Sequence, residues 1–222
     1  MKILNTIHED YHMHSLNYSD GMNTIDEIVQ YADKIWLKKI VITDHSQLTL
    51  DHANITLKNR RIHTLGRWKN IYNNVDVSFG IEWDLINDQW DCCFDIQGIE
   101  SDFCILSCHE EGYQGDLKNI TQAYINAIHR YHDKIKCMGH ICSRYTSEYL
   151  DIEAIAKALN QYNIPIELNC YYLHKDKTNL EKLDTLLSLI TAWVYVNSDM
   201  HTLNDFSFRQ AGFEYLKERW YC

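Results

Sequence analysis

One proline, Pro165, and eight glycines in 222 residues leave the chain almost without the punctuation that divides domains. No Pro/Gly-rich linker, internal repeat or low-complexity tract interrupts it, and residues 1–222 read as a single folded unit large enough to bury a substantial core. No run of 18 apolar residues occurs, so no membrane-spanning helix and no membrane partner is expected. The opening Met1-Lys-Ile-Leu-Asn-Thr-Ile-His-Glu-Asp lacks the long apolar core and small-residue cleavage site of a leader, and the expected location is cytoplasmic. Basic residues are the minority, 21 against 31 acidic, for a formal net charge of -10. Without a Lys/Arg run to track a phosphate backbone, duplex nucleic acid is not an expected partner, whereas surplus acid suits a protein that concentrates cations. The eight cysteines (92, 93, 104, 108, 137, 142, 170 and 222) form no C-x-x-C pair, and several lie in apolar runs such as Asp102-Phe-Cys-Ile-Leu-Ser-Cys, so buried reduced thiols are expected.

What is present is a recurrence of short apolar runs, around residues 11–14, 39–43 (KIVIT), 75–81 (VDVSFGI), 103–107 (FCILS), 135–138, 164–169 (IPIELN) and 193–197 (WVYVN). These are candidate strands, and the segments between them read mostly as helices, the alternation of a parallel sheet with crossover helices. Ile25, Ile28, Val29, Ala32 and Ile35 repeat at helical spacing behind a Thr24-x-x-Glu27 capping box. Asn119-x-x-Gln122 opens a second helix to about His132, Asp151 precedes a third to about Tyr162, and 179–192 and 207–220 complete the set. The 52–74 stretch also reads as helical despite Gly66, and 85–102 reads as a loop with a short extra strand or hairpin. The expected fold is α/β, a distorted barrel of about seven β/α units, with a doubly wound open sheet as the alternative because periodicity does not report closure.

Six of the twelve histidines, with three carboxylates, stand just after these runs, as His12-x-His14…Asp20, Thr43-Asp44-His45, Gly80-Ile81-Glu82, Ser107-Cys108-His109, Gly139-His140 and Ser198-Asp199-Met200-His201. A parallel barrel gathers the C-terminal ends of its strands on one face, where such residues meet. Alternate side chains of an extended segment share a face, so His12 and His14 point together while Met13 packs the other way; Asp199 and His201 are expected to repeat that geometry. A mixed imidazole and carboxylate set suits Zn, Mn or Fe rather than Ca or a thiolate-bound metal, and its size calls for two or three divalent ions. The remaining histidines, 8, 52, 63, 129, 132 and 174, read as ordinary surface or core residues.

In these residues the chain resembles the PHP (polymerase and histidinol phosphatase) superfamily, especially its stand-alone histidinol-phosphatase-like members. DYHMHSLNYSDG, IVITDHS, GIEWD and VNSDMH are similar to the family's ordered motifs, with SCH and MGH between them. The resemblance implies a distorted seven-stranded barrel holding two or three divalent ions. His12, His14, Glu82 and Asp199 would hold one, a bridging Glu82 with His109 and His140 a second, and Asp20, His45 and His201 a third. Asp20 has a rival role, capping the following helix.

The resemblance implies hydrolysis of a small phosphorylated substrate, for which an ion-bridging hydroxide would be the nucleophile and a metal-side acid or bound water would protonate the leaving group, with Asp199 or His201 the nearest candidates. Arg144, four residues after His140, is the expected cationic clamp on phosphate. Where histidinol-phosphatase-like relatives carry a second arginine beyond an E-x-N segment, this chain has His174 with Lys175 beside it, which puts histidinol phosphate itself in question. The rival readings are a phosphodiesterase or exonuclease acting on nucleotides or short single strands, with Tyr171 and Tyr172 stacking on bases, and a non-catalytic metal-binding module. The oligomeric state is not legible.

Overall fold

A computed structural model of the chain describes residues 2–68, 71 and 73–220. The strands are β1 (Lys2–Ile3), β2 (Glu9–Asp10), β3 (Lys39–His45), β4 (Asp76–Leu85), β5 (Cys92–Cys93), β6 (Phe103–Ser107), β7 (Ile135–Met138), β8 (Ile166–Asn169) and β9 (Trp193–Asn197). They run in the order β1-β9-β8-β7-β6-β4-β3-β2, parallel throughout, with β5 antiparallel to the end of β4. The sheet curls back on itself. Beyond β2 the chain stays extended, Met13 bridges Met200 in parallel, His14 N–H donates to Met200 C=O at 2.9 Å and Asp199 N–H donates to His12 C=O at 3.0 Å. Residues 9–14 are therefore flanked by β3 on one side and the continuation of β9 on the other, which makes a barrel of seven parallel segments as expected.

The helices are α1 (Ile25–Lys34), α2 (Gln47–His52), α3 (Arg61–Trp68), α4 (Ile120–Tyr131), α5 (Arg144–Ser147), α6 (Ile152–Tyr162), α7 (Cys170–His174), α8 (Leu180–Leu189) and α9 (Phe208–Trp220). The Thr24/Glu27 capping box forms in both directions, and Ile25, Ile28, Val29 and Ala32 are buried as the spacing predicts. Asp151 and Asn179 cap α6 and α8 through Ala154 N–H and Lys182 N–H. Asn119 does not cap α4: a 3-10 turn at Leu117–Asn119, itself capped by Asp116, leads into the helix, and the Asn119 amide donates to Asp88 instead. The expected helix over 52–74 is also corrected. Only Arg61–Trp68 is helical there, because Asn54 takes a left-handed conformation (φ 55°) after α2 and the chain turns to carry Arg61 inward; residues 69, 70 and 72 lie outside the described residues.

The β4 to β6 crossover has no regular helix, only the β5 hairpin, and this is where the barrel departs most from regular β/α alternation. The main core joins barrel side chains such as Ile81, Leu106, Met138, Ile166 and Val196 to α4, α6 and α8, and a second cluster seats Met13, Ile40 and Ile42 against α1. Cys92, Cys104, Cys108, Cys137, Cys142 and Cys170 are buried free thiols and Cys93 is partly buried; Cys222 lies outside the described residues. No helix among the described residues is long and apolar enough to cross a membrane.

Candidate metal centre

The strand order places the histidine and carboxylate motifs at one end of the barrel. His45 closes β3, in register with Glu82 on β4; His109 and His140 follow the ends of β6 and β7, and Asp199 and His201 follow β9. Gly139 is needed beside His140, because a Cβ there would collide with Ser107 Oγ and Ile105. Asp199 reaches the centre differently from the expectation. It is not extended but left-handed (φ 53°), so a kink rather than strand alternation brings Asp199 and His201 to the same side.

The side chains converge. His14 Nε2 lies 3.0 Å from Asp199 Oδ1 and 3.2 Å from His12 Nε2, and His12 Nε2 lies 3.4 Å from both Asp199 Oδ1 and Glu82 Oε1. Glu82 Oε1 also stands 2.9 Å from His140 Nε2 and 3.5 Å from His109 Nε2, while Glu82 Oε2 stands 3.6 Å from His14 Nε2. Asp20 Oδ1 is 3.5 Å from both His45 Nε2 and His201 Nε2. All nine side chains are thus in one cluster, distributed around Glu82 and Asp20.

Its dimensions suit cations. Two bonds of about 2.1 Å at a tetrahedral angle set donors about 3.4 Å apart, close to the spacings here. Three sets of side chains can each surround an ion: His14, Asp20, His45 and His201; His12, His14 and Asp199; and His45, Glu82 and His109. Two atoms of the cluster are buried without a hydrogen bond, Glu82 Oε2 and His45 Nδ1; they lie 2.9 Å apart but out of hydrogen-bonding alignment. A buried carboxylate oxygen left unpartnered is costly, and a cation offsets that cost.

Behind the imidazoles stands a second layer that sequence reasoning left unassigned. Glu167 takes His12 Nδ1 at 2.8 Å, Asp84 takes His109 Nδ1 at 2.5 Å, and the Asp199 carbonyl takes His201 Nδ1 at 3.0 Å. With Nδ1 engaged outward, Nε2 faces the centre, the arrangement of a metal-bound histidine held by a carboxylate. Ser107 donates to Glu82 Oε1 at 2.6 Å, and Asn169 donates to both Glu167 and Asp199. The signal available in the sequence was polar alternation inside apolar strands, Glu82-x-Asp84 and Glu167-x-Asn169, since buried polar side chains in a strand require partners.

The charge distribution is polarised. Burial alone would raise Glu82, but His109, His12 and His45 outweigh it and hold this carboxylate well below its usual range. Burial likewise opposes charge on His12, yet Glu167, Asp199 and Glu82 hold it well above the ordinary value. His14 goes the other way, pushed down to about 3 by burial and then by His45 and His201.

The expected substrate-binding residues make no side-chain contact with the nine clustered residues. Arg144 begins α5 and engages Asp176 through Nη2 to Oδ1 (2.7 Å) and Nε to the carbonyl (2.7 Å). His174 ends α7 with its ring stacked on Phe208, centroids 3.8 Å apart, and Lys175 Nζ lies 5.8 Å from the Tyr171 and Phe208 ring centroids. Tyr171 and Tyr172 do reach the centre: Tyr172 lies face to face with His140 at 4.3 Å and 2°, and Tyr171 lies 5.4 Å from His201.

A curled parallel barrel carrying a histidine and carboxylate cluster at its C-terminal mouth defines a metal-centre α/β barrel. A family model for the PHP domain matches residues 10–171, and the chain belongs to that family. It is 26% identical over 205 residues to a probable phosphatase of Caldicellulosiruptor saccharolyticus, covering 87% of this chain and 80% of that protein. It is 27% identical over 204 residues to a probable phosphatase of Citrobacter koseri, at 87% and 78% coverage. Its fold is similar to that of histidinol phosphate phosphatase from Lactococcus lactis, solved with zinc, L-histidinol and phosphate, with a TM-score of 0.61, 16% identity and coverage of 96% and 94%.

Proposed function

We propose that this chain, folded as one PHP domain over residues 1–222, is a metal-dependent phosphatase that hydrolyses small phosphomonoesters. The observation that carries the reading is the convergence of His12, His14, Asp20, His45, Glu82, His109, His140, Asp199 and His201 at spacings suited to several ions, with His14 and His45 each shared between two sets and Glu82 within 3.6 Å of His12, His14, His45, His109 and His140. Two or three divalent ions, Zn, Mn or Fe, would supply an acidified water as nucleophile and positive charge opposite the phosphoryl oxygens. Glu82 orients the imidazoles around it and balances cationic charge, while Glu167 and Asp84 hold His12 and His109 with Nε2 inward. Leaving-group protonation would fall to a metal-side acid or a bound water, with Asp199 and His201 the nearest side chains. The names of the relatives support the phosphatase reading, and the neighbour solved with histidinol and phosphate supports a small phosphorylated substrate.

The test is an assay of metal-reconstituted protein on an aryl phosphate and on a bis-aryl phosphodiester, with elemental analysis of bound metal. The expected result is two to three equivalents of metal, in keeping with about four to six donors per ion, and turnover of the monoester well above the diester. Preference for the diester would make it a phosphodiesterase; metal binding with no turnover of either would make it a binding module.

A further inference from the structure

The mouth of the barrel is unequal in charge. Glu110 and Glu111 follow His109 on one side and are exposed. Across the mouth, α5 and the turn after α7 gather Arg144, Lys175 and Lys177. Arg144 is occupied by Asp176, and Lys175 leans toward Tyr171 and Phe208. Lys177 differs from both: it forms no ion pair among the described residues, and its Nζ lies 5.4 Å from the ring centroids of both Tyr171 and Tyr172. Those are the rings that contact the ligand imidazoles His201 and His140. The hydroxyls of Tyr171 and Tyr172 make no hydrogen bond among the described residues.

The backbone explains how Lys177 arrives there. α7 is a single turn ended at Lys175, and Asp176 adopts the left-handed conformation (φ 53°), which reverses the chain over the start of the helix. Lys177 N–H donates to the Tyr172 carbonyl at 2.8 Å, and the Lys177 carbonyl accepts from Arg144 N–H at 2.8 Å. The main chain of Lys177 is thereby fixed between α7 and α5, while its side chain lies exposed along the tyrosines.

We propose that Lys177 is the phosphate-recognising cation of this site, its ammonium and the Tyr172 hydroxyl receiving the phosphate dianion at the edge of the metal cluster. The identity of the anion rests on the phosphatase reading above; the placement of the cation does not. An ammonium suits this role as a mobile point charge on a flexible stem, able to follow a phosphate from entry to release.

The experiment is calorimetric titration of inorganic phosphate into metal-reconstituted wild-type, Lys177→Met and Lys177→Arg proteins, with steady-state kinetics on an aryl phosphate in parallel. Losing one charge-assisted contact is expected to raise the phosphate Kd about tenfold in Lys177→Met, with KM for the aryl phosphate rising more than kcat falls, and Lys177→Arg restoring most of the affinity. Metal content and unfolding midpoint should match the wild type. An unchanged phosphate Kd in Lys177→Met, or wild-type protein that binds no phosphate, overturns the proposal. A raised Kd that comes only with lost metal or a lowered midpoint also overturns it, since that marks a structural role through the tyrosine rings. Phosphate binding that depends on Lys177 in a protein that hydrolyses no phosphomonoester would leave Lys177 as the anion site and remove the phosphatase reading instead.

Discussion

Glu167 offers the sharpest perturbation, because every atom around its carboxylate is a donor. Oε1 accepts from His12 Nδ1 at 2.8 Å and Asn197 Nδ2 at 2.9 Å, and Oε2 accepts from His140 N–H at 3.2 Å and Asn169 Nδ2 at 2.9 Å. The group is fully buried, and its pKa, which burial would raise, is held below the usual range chiefly by His12. In Glu167→Gln the amide accepts on one side only, so either orientation turns an NH₂ group toward two buried donors. Leaving two such groups unpaired costs about 2–6 kcal/mol at about 1–3 kcal/mol each. In a domain of this size that lowers the unfolding midpoint of metal-free protein by at least about 4 °C. The better orientation keeps His12 paired but gives up the negative charge behind it, for which second-layer substitutions suggest about a 10–100-fold loss of metal affinity. Scanning calorimetry on metal-free protein and competition titration of zinc against a chelator read the two effects separately. A midpoint within about 1 °C of wild type together with unchanged zinc affinity would refute the reasoning and reduce Glu167 to a replaceable core residue.

Three further outcomes are expected. Glu82→Gln, at the carboxylate contacting His12, His45, His109 and His140, should remove at least one equivalent of bound metal and take hydrolysis below detection while the far-UV circular dichroism is kept; normal turnover with full metal content would contradict this. Arg144→Ala should lower kcat/KM less than about threefold, because the guanidinium is 57% exposed and already paired with Asp176, and exposed pairs contribute about 1 kcal/mol or less; a loss of about 100-fold would mean that Arg144 leaves Asp176 to clamp phosphate. Histidinol phosphate should not be preferred in a panel of phosphomonoesters, since His174 is stacked on Phe208 and offers no guanidinium fork to phosphate; a tenfold advantage in kcat/KM for histidinol phosphate would refute that.

The clustered histidines and carboxylates were legible because a parallel barrel converts position along each strand into position in space: whatever follows an apolar run arrives at the same mouth. His109, separated from Glu82 by a hairpin and a strand, lands 3.5 Å from it for that reason alone. What the sequence did not disclose depends on single backbone conformations or on partners across strands. Asp199 and Asp176 each sit at φ 53°, and these two left-handed residues decide where His201 and Lys177 go, yet nothing in the flanking sequence sets either aspartate apart. Glu167 and Asp84 lay within the readable strands but acquire meaning only from His12 and His109, 155 and 25 residues away. The expected 52–74 helix failed for a related reason: local periodicity gave no hint that Arg61 is fully buried, its Nη2 on the Gly80 carbonyl at 2.7 Å.

That arginine has a counterpart, and the two explain how a short barrel keeps its ligand segments in place. Arg61 Nη1 lies 3.5 Å from Asp44, whose carboxylate accepts Ser15 N–H at 2.6 Å, so one buried pair ties the residue before His45 to the residue after His14. Arg209, from α9, lies 3.6 Å from Asp10, which accepts Ser198 N–H at 3.1 Å; the second pair ties the approach to His12 to the residue before Asp199. Burial raises both aspartates, and the facing arginine, helped by hydrogen bonds from Ser198 or Ser15, offsets that only in part. Such pairs are poor sources of net stability, but breaking one leaves an uncompensated buried charge worth about 3–5 kcal/mol. Their position suits that asymmetry: in each case the group at risk is one or two residues from a ligand, so a displacement of the ligand segment exposes the full penalty. Before β4, α3 is short and delivers one buried side chain, Arg61, into the barrel wall.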